Sequence, residues 1–287
     1  MAEINLFADR IAVIATMHQK EKAIAPLLQK HLGVSTLVPQ DFDTDAFGTF
    51  TREVARVGTQ LEAARAKALK ALDVMGETLA IASEGTFGPH PIMLGVPCNR
   101  ELVLLLDTEN QLELYGQEFS TATNYSHQAI TSLAEARMFA SKVGFPEHAL
   151  VVMLTPPSLA ANNIVKGINT DSMLEEAIEV TLSHSSTGSV HIETDMRALF
   201  NPTRMQNIEK ATQDLLRKIH QTCPRCDFPG FDVVEQKRGL PCNLCGIPTQ
   251  LIRTSISICQ KCGFKQEKLF PQGVETADPS YCNYCNP

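Results

Sequence analysis

Apolar positions along the chain follow two different periods. Short runs of apolar and β-forming residues at 11–15, 34–38, 78–82 and 149–154 are too short for helices. Bounded by charged residues, Gly or Pro, they predict buried strands, the second closed by Pro39. Between them, apolar residues recur every three to four positions at 21–31, 50–74, 132–143 and 171–184, the spacing of one helix face. The stretch 50–74 ends in strong helix formers and carries a predicted break at Gly58. Asp171 is the predicted cap of the helix reaching His184. Residues 102–107 and 111–118 read as a hairpin turning around residues 108–110, and 189–193 as a further strand. A last helix starts with Asn201 as N-cap and Pro202 at its first position, and runs to His220. Strands alternating with helices, with one adjacent antiparallel pair, predict an α/β domain over 1–220: a mixed sheet with flanking helices.

The pattern changes at residue 221. Of nine cysteines, Cys98 stands alone in the first part of the chain. The other eight form four pairs of one spacing: Cys223 and Cys226, Cys242 and Cys245, Cys259 and Cys262, Cys282 and Cys285. Two residues between thiolates let a tight turn aim both sulfurs at one ion, and zinc prefers four soft ligands in a tetrahedron. Eight ligands therefore predict two structural Zn²⁺ ions in a small zinc-ribbon module over 221–287, with Gly246 and Gly263 following the second and third pairs. Each interval has room for a short hairpin, at 231–236, 249–258 and 265–274. That layout favours joining the first pair with the second and the third with the fourth; second with third plus first with fourth is the alternative. So short a segment with little apolar content needs a metal to fold.

Charge and composition narrow the function. The chain carries 25 Lys+Arg against 32 Asp+Glu, a formal net charge of −7. The module has seven basic and six acidic residues, and each zinc with four thiolates adds −2, so its folded surface is acidic. That argues against a nucleic-acid partner, which needs excess positive charge, and for a protein partner contacting the ribbons. No apolar run approaches membrane-spanning length and the N-terminus lacks a basic leader, so a cytoplasmic protein with no membrane partner is expected. In a reducing compartment clustered cysteines read as metal ligands before disulfides.

In the first domain, polar residues gather where strands end. Thr16, His18 and Lys20 follow the first strand at a helix N-terminus, a place that suits phosphate, and a Thr16 N-cap before a solvated charged turn is the other open reading. Glu84 and His90 lie in the shaped segment Ser83-Glu84-Gly85-Thr86-Phe87-Gly88-Pro89-His90-Pro91, with Glu84 at the carboxyl end of a strand, where ligands of open α/β sheets bind. A divalent cation on Glu84 and a plain turn carboxylate are both open readings. His191, Glu193 and Asp195 alternate onto one side of an extended segment, and Arg197 and Arg204 follow; together they suit a phosphate and metal site or a simple ion pair. Asp43 and Asp45 could cap a helix or add a carboxylate. Cys98 has no base beside it and reads as a buried or loop cysteine.

The segments ATMHQKEKAIAP, DTDAFGTFT, SEGTFGPHP and TDMRALFNPTRM, with the four-pair tail, resemble an uncharacterised bacterial family, a domain of unknown function covering nearly the whole chain. More distantly, Ala15-Thr16-Met17-His18-Gln19-Lys20, Glu62-Ala63-Ala64-Arg65-Ala66-Lys67-Ala68 and Ala82-Ser83-Glu84-Gly85 resemble motifs of the inosine/xanthosine triphosphate pyrophosphatase superfamily. His18 and Ala63 stand where that family has Asn, Lys20 comes one residue early, and 156–187 looks like an insertion. The resemblance implies an inosine triphosphatase-like fold, Lys20 and Lys67 at phosphate, and Glu84 helping to hold Mg²⁺ for release of pyrophosphate; Asp195, from its place after the last strand, is a further catalytic candidate. The expectation is a metal-dependent nucleotide pyrophosphatase, or a related protein binding a small phosphorylated ligand or nucleotide. A non-enzymatic zinc-ribbon protein for protein or nucleic-acid contacts is the alternative.

Overall fold

The computed structural model describes residues 6–44, 58–154 and 164–287, which fall into two compact units, one reaching Leu215 and one over Leu216–Pro287. The first unit contains two sheets where the sequence pattern suggests one. In the five-stranded sheet, β1 (Ile11–Ala15) runs parallel to β2 (Ser35–Leu37) and to β3 (Leu79–Pro89). β3 continues antiparallel to β4 (Pro97–Asp107) and β5 (Leu112–Ser120), giving the order β2-β1-β3-β4-β5. In the four-stranded sheet every neighbour is antiparallel: β6 (His127–Ile130), β9 (Val190–Thr194), β7 (Leu150–Leu154) and β8 (Ile164–Ile168), in that order.

β1 and the first part of β3, at the centre of the mixed sheet, are buried on both faces and read as continuous apolar runs, whereas the edge strand β5 alternates buried and more exposed positions. On one face Val13, Ala15, Ala80, Ala82, Leu102 and Leu104 meet α2 (Gln60–Met75) through Ala64, Ala68 and Ala71, whose small side chains let the helix sit close. Thr59 opens α2 as a capping box: its hydroxyl accepts from Glu62 N and the Glu62 carboxylate accepts from Thr59 N. The expected helix start near residue 50 lies outside the described residues. α1 (Glu21–Leu32) follows β1 with Lys20 at its N-cap and no side-chain cap, so Thr16 does not cap it. In the second sheet, Leu150, Val152, Ile168, Val190 and Ile192 form a core with α3 (Leu133–Val143) and α4 (Asp171–Ser183). Thr170, not Asp171, caps α4, because only the residue before the first turn can accept from the free Met173 N–H.

Two differences from the sequence pattern position the candidate site. β3 extends seven residues past the predicted end at Ala82, carrying Ser83 to Pro89 as strand. β1 stops opposite Ala82 while β4 keeps pairing to Pro89, so one edge of β3 is vacated from Ser83 onward. β6 and β8 carry no long apolar run and were not expected as strands. α5 (Pro202–His220) then leads into the second unit, with the Asn201 side chain accepting from Arg204 N as expected of an N-cap.

The second unit is a three-stranded antiparallel meander of β10 (Val233–Arg238), β11 (Ile252–Ile258) and β12 (Lys265–Leu269). β10 and β12 are exposed along their length. No helix among the described residues is long and apolar enough to cross a membrane.

Candidate functional site

The four cysteine pairs fold as one repeated turn. In each, the N–H four residues beyond the first cysteine donates to that cysteine's carbonyl: Asp227 to Cys223, Gly246 to Cys242, Gly263 to Cys259 and Asn286 to Cys282. Asp227, Gly246 and Gly263 adopt φ of 58°, 74° and 67°, the left-handed region where glycine is free of strain and Asp is tolerated. Backbone amides also reach sulfur, Arg225 N to Cys223 Sγ at 3.4 Å and Leu244 N to Cys242 Sγ at 3.4 Å. Burial raises the Cys259 thiol, but the amides of Cys262 and Lys261 outweigh it and hold it down at about 7. The amides of Cys285 and Tyr284 likewise bring Cys282 to about 7.

The turns gather into two clusters that could each hold a metal ion: Cys223, Cys226, Cys259 and Cys262, and Cys242, Cys245, Cys282 and Cys285. Sulfur separations of 3.7 and 3.6 Å in the first and 3.9 and 3.6 Å in the second are far beyond a disulfide bond. They match the spacing of about 3.8 Å between corners of a tetrahedron with metal–sulfur bonds of about 2.3 Å. The pairing is first with third and second with fourth, against both pairings expected from the sequence. The cause is one strand per interval in place of a hairpin. A hairpin would return the chain to the end it left, whereas a single strand delivers it to the opposite end, so turns alternate between the two ends of the meander.

In the first unit, buried ionic groups collect around the part of β3 that runs past the end of β1. Lys67 on α2 pairs with Glu84 at 2.5 Å, both almost fully buried. Lys20, 6% exposed, donates from Nζ to the Ser83 carbonyl at 2.9 Å. Arg204 in the first turn of α5 pairs through Nε with Glu101 of β4 at 2.9 Å, both side chains wholly buried, and through Nη1 holds the Met196 carbonyl. Asn99 donates to Glu101, and Asn207 to Asn99. Gly85 lies against this pair: a Cβ there would come within 2.6 Å of Arg204 Nη2 and 2.7 Å of Glu101 Oε1. Burial, then the nearby Arg204 charge, lower Lys20 to about 7, with Lys67 adding to the effect and Glu84 opposing it.

The remaining candidates stand as follows. Thr16, with Met17, Gln19, Glu21, Asp41 and Asp43, lines a cavity of about 470 Å³ beyond β1 and β2, while His18 and Lys20 turn inward and are buried. His90 is occupied by its own turn, Nδ1 accepting from Ile92 N and Met93 N, and its ring meets Phe119 edge-on at 5.3 Å. Asp195 forms the ion pair with Arg197 at 2.6 Å and accepts from Gly167 N, so its oxygens face β8 rather than the lysines. His191 meets Glu193 at 3.1 Å on the shared face that strand alternation predicts. Cys98 is buried in β4. Asp45 lies outside the described residues. Glu101 and Asn99 were missed, although a glutamate opening the apolar run of β4 is a readable sign of a buried partner.

Fold and clusters together define an α/β protein with a C-terminal meander bearing two four-cysteine sites. The chain belongs to a family described as a domain of unknown function, DUF6671, which matches residues 67–287. The match begins within α2 and is narrower than the whole-chain resemblance expected: it contains Lys67, Glu84, Arg204 and all eight clustered cysteines, but not Lys20. No curated protein matches the chain. Among solved structures it is similar to protein VC0702 from Vibrio cholerae at 10% identity and a TM-score of 0.31, over 75% of this chain and 97% of that one. So distant a likeness carries no argument about fold.

Proposed function

We propose that the protein is a zinc-ribbon protein in which Cys223, Cys226, Cys259 and Cys262 hold one structural Zn²⁺ and Cys242, Cys245, Cys282 and Cys285 a second. The sulfur spacing supports this reading: two all-cysteine sets at tetrahedral separations, with backbone amides aimed at sulfur, suit a soft-ligand ion and leave no position open for catalysis. Metal analysis of protein prepared without chelator should return two zinc ions per chain. Recovery well below two, or a ribbon that stays folded in strong chelator, would reject it.

A second reading concerns the first unit, which we propose binds a small phosphorylated ligand beside β1 and β3. Lys20 supports it: a nine-tenths-buried ammonium group that uses one of its three donors, on Ser83, among the described residues. The three segments resembling the pyrophosphatase motifs contribute Lys20, Lys67 and Glu84 to this one neighbourhood. Glu84, Glu101 and Asp195 each answer a cation, which favours binding over Mg²⁺-dependent hydrolysis. Inorganic pyrophosphate should bind in calorimetry, more weakly as pH rises past about 7 because Lys20 then loses its proton, and Lys20→Met should abolish both the binding and its pH dependence. Absent or pH-independent binding would reject this reading. Phosphate release from nucleoside triphosphates with Mg²⁺ would replace it with the hydrolase.

A further inference from the structure

The two clusters share a backbone but not their surroundings. The third residue of each turn is Arg225 and Lys261 in the first cluster, and Leu244 and Tyr284 in the second. The sixth residue is Phe228 and Phe264 in the first, and Ile247 and Pro287 in the second. Phe228 is 4% exposed with Lys261 Nζ 5.1 Å above its ring, and Phe264 lies tilted against Phe231 with ring centroids 5.8 Å apart. Around the second cluster Leu244 is 74%, Tyr284 73% and Ile247 41% exposed, and Cys245 is itself exposed, unlike any cysteine of the first.

Four thiolates on a divalent ion carry a net charge of −2, and the reactivity of each sulfur falls as nearby cations and cover withdraw its electron density and block its lone pairs. Arg225 and Lys261 offset that charge at the first cluster. At the second, the same positions are uncharged and the sulfurs are more open. We infer that the second cluster is the redox-reactive one, giving up its ion to a hydroperoxide before the first does. The inference rests on the zinc assignment. Two thiolates, most directly Cys245 and Cys282 with sulfurs 3.6 Å apart, lose two electrons to hydrogen peroxide. The S–S bond forms, the O–O bond breaks, two protons from solvent complete two waters, and the two remaining thiolates hold the ion weakly.

The test uses the full metal-loaded chain, with zinc counted beforehand. Hydrogen peroxide is added, released ion is followed with a chromogenic chelator, and free thiols are alkylated and located by peptide mass at each time. One equivalent should leave first, with Cys242, Cys245, Cys282 and Cys285 the cysteines lost, and the second equivalent about tenfold more slowly, the size expected of two screened charges near sulfur plus cover. Leu244→Arg with Tyr284→Lys should slow the first phase, and Arg225→Leu with Lys261→Tyr should bring the second up to it. Simultaneous release of both ions, earlier loss of the Cys223 cluster, or exchanged side chains that leave both rates unchanged would overturn the ranking. If exchanged chains start with fewer than two ions, the order in the unaltered chain decides alone. A starting count of zero removes the zinc assignment and this inference with it.

Discussion

The two units are held together by different physics. The first rests on apolar faces shared by sheets and helices, with wholly buried ion pairs such as Arg204 and Glu101 set among them. In the second, the buried apolar side chains apart from cysteine beyond the end of α5 are Phe228, Leu240, Ile256 and Ala277, too few to offset the entropy of ordering the residues from 221 onward. On the zinc-ribbon proposal, its order comes from metal–thiolate bonds. One unit should therefore answer to core and charge substitutions and be indifferent to chelators, and the other should do the reverse.

The largest effect that could break this contrast is metal removal. Structural zinc contributes on the order of 10 kcal/mol to small domains, so a strong chelator, or Cys223→Ser, should open residues 221–287 to proteolysis while the first unit resists. Cys98→Ser, outside both clusters, should leave the ribbon intact; digestion of both units at equal rates would refute the division. Next is Arg204→Met, which strands a buried carboxylate and should cost about 3–5 kcal/mol in urea unfolding of the first unit. Adding Glu101→Leu should restore much of that loss, and no restoration would mean the pair acts through something other than charge.

Lys20 sharpens the comparison through pH. Its pKa is about 7 folded against an ordinary 10.5, lowered chiefly by burial and then by Arg204, so between those values the unfolded chain binds the extra proton. Stability of the first unit should rise with pH across that window, by on the order of a few kcal/mol, and its full penalty should be present below 7. In Lys20→Met the rise should vanish and stability at pH 7 should increase; an unchanged slope would show that other groups carry it. Smallest is Gly85→Ala, whose Cβ meets Arg204 and Glu101 and should cost about 1–3 kcal/mol, less in the Arg204→Met background where the guanidinium is gone. An equal cost in both backgrounds would place the crowding elsewhere.

What the sequence showed, and what it hid, follows the range of the interactions. Cys-x-x-Cys turns are local, so all eight clustered cysteines were legible from spacing, as was the Asn201–Pro202 start of α5. Which turns come together in a cluster depends on how many strands separate them, and a stretch such as 265–274 reads equally well as one strand or two. The length of β3 was hidden because Gly85, Gly88 and Pro89 read as a loop, while β4 in fact pairs with all of it. The Arg204–Glu101 pair spans 103 residues and leaves no local trace beyond a charge beside an apolar run. β6 and β8 were missed because their partners, β9 and β7, carry the apolar signal for them. The neighbourhood of Lys20, Lys67 and Glu84 was suggested by motif order alone, and the geometry that joins them needed the parallel register of β1 and β3.

If each cluster takes its proposed zinc ion, the interleaving of the two clusters also sets an order of assembly during synthesis. The first set is complete once Cys262 has left the ribosome, closing a loop that begins at Cys223 and already contains Cys242 and Cys245. Those two must wait, reduced and half-liganded inside a finished loop, until Cys285 arrives. A nascent chain halted between the two events should carry a single ion, held in the set ringed by Arg225 and Lys261, so the shielded site is also the one made first.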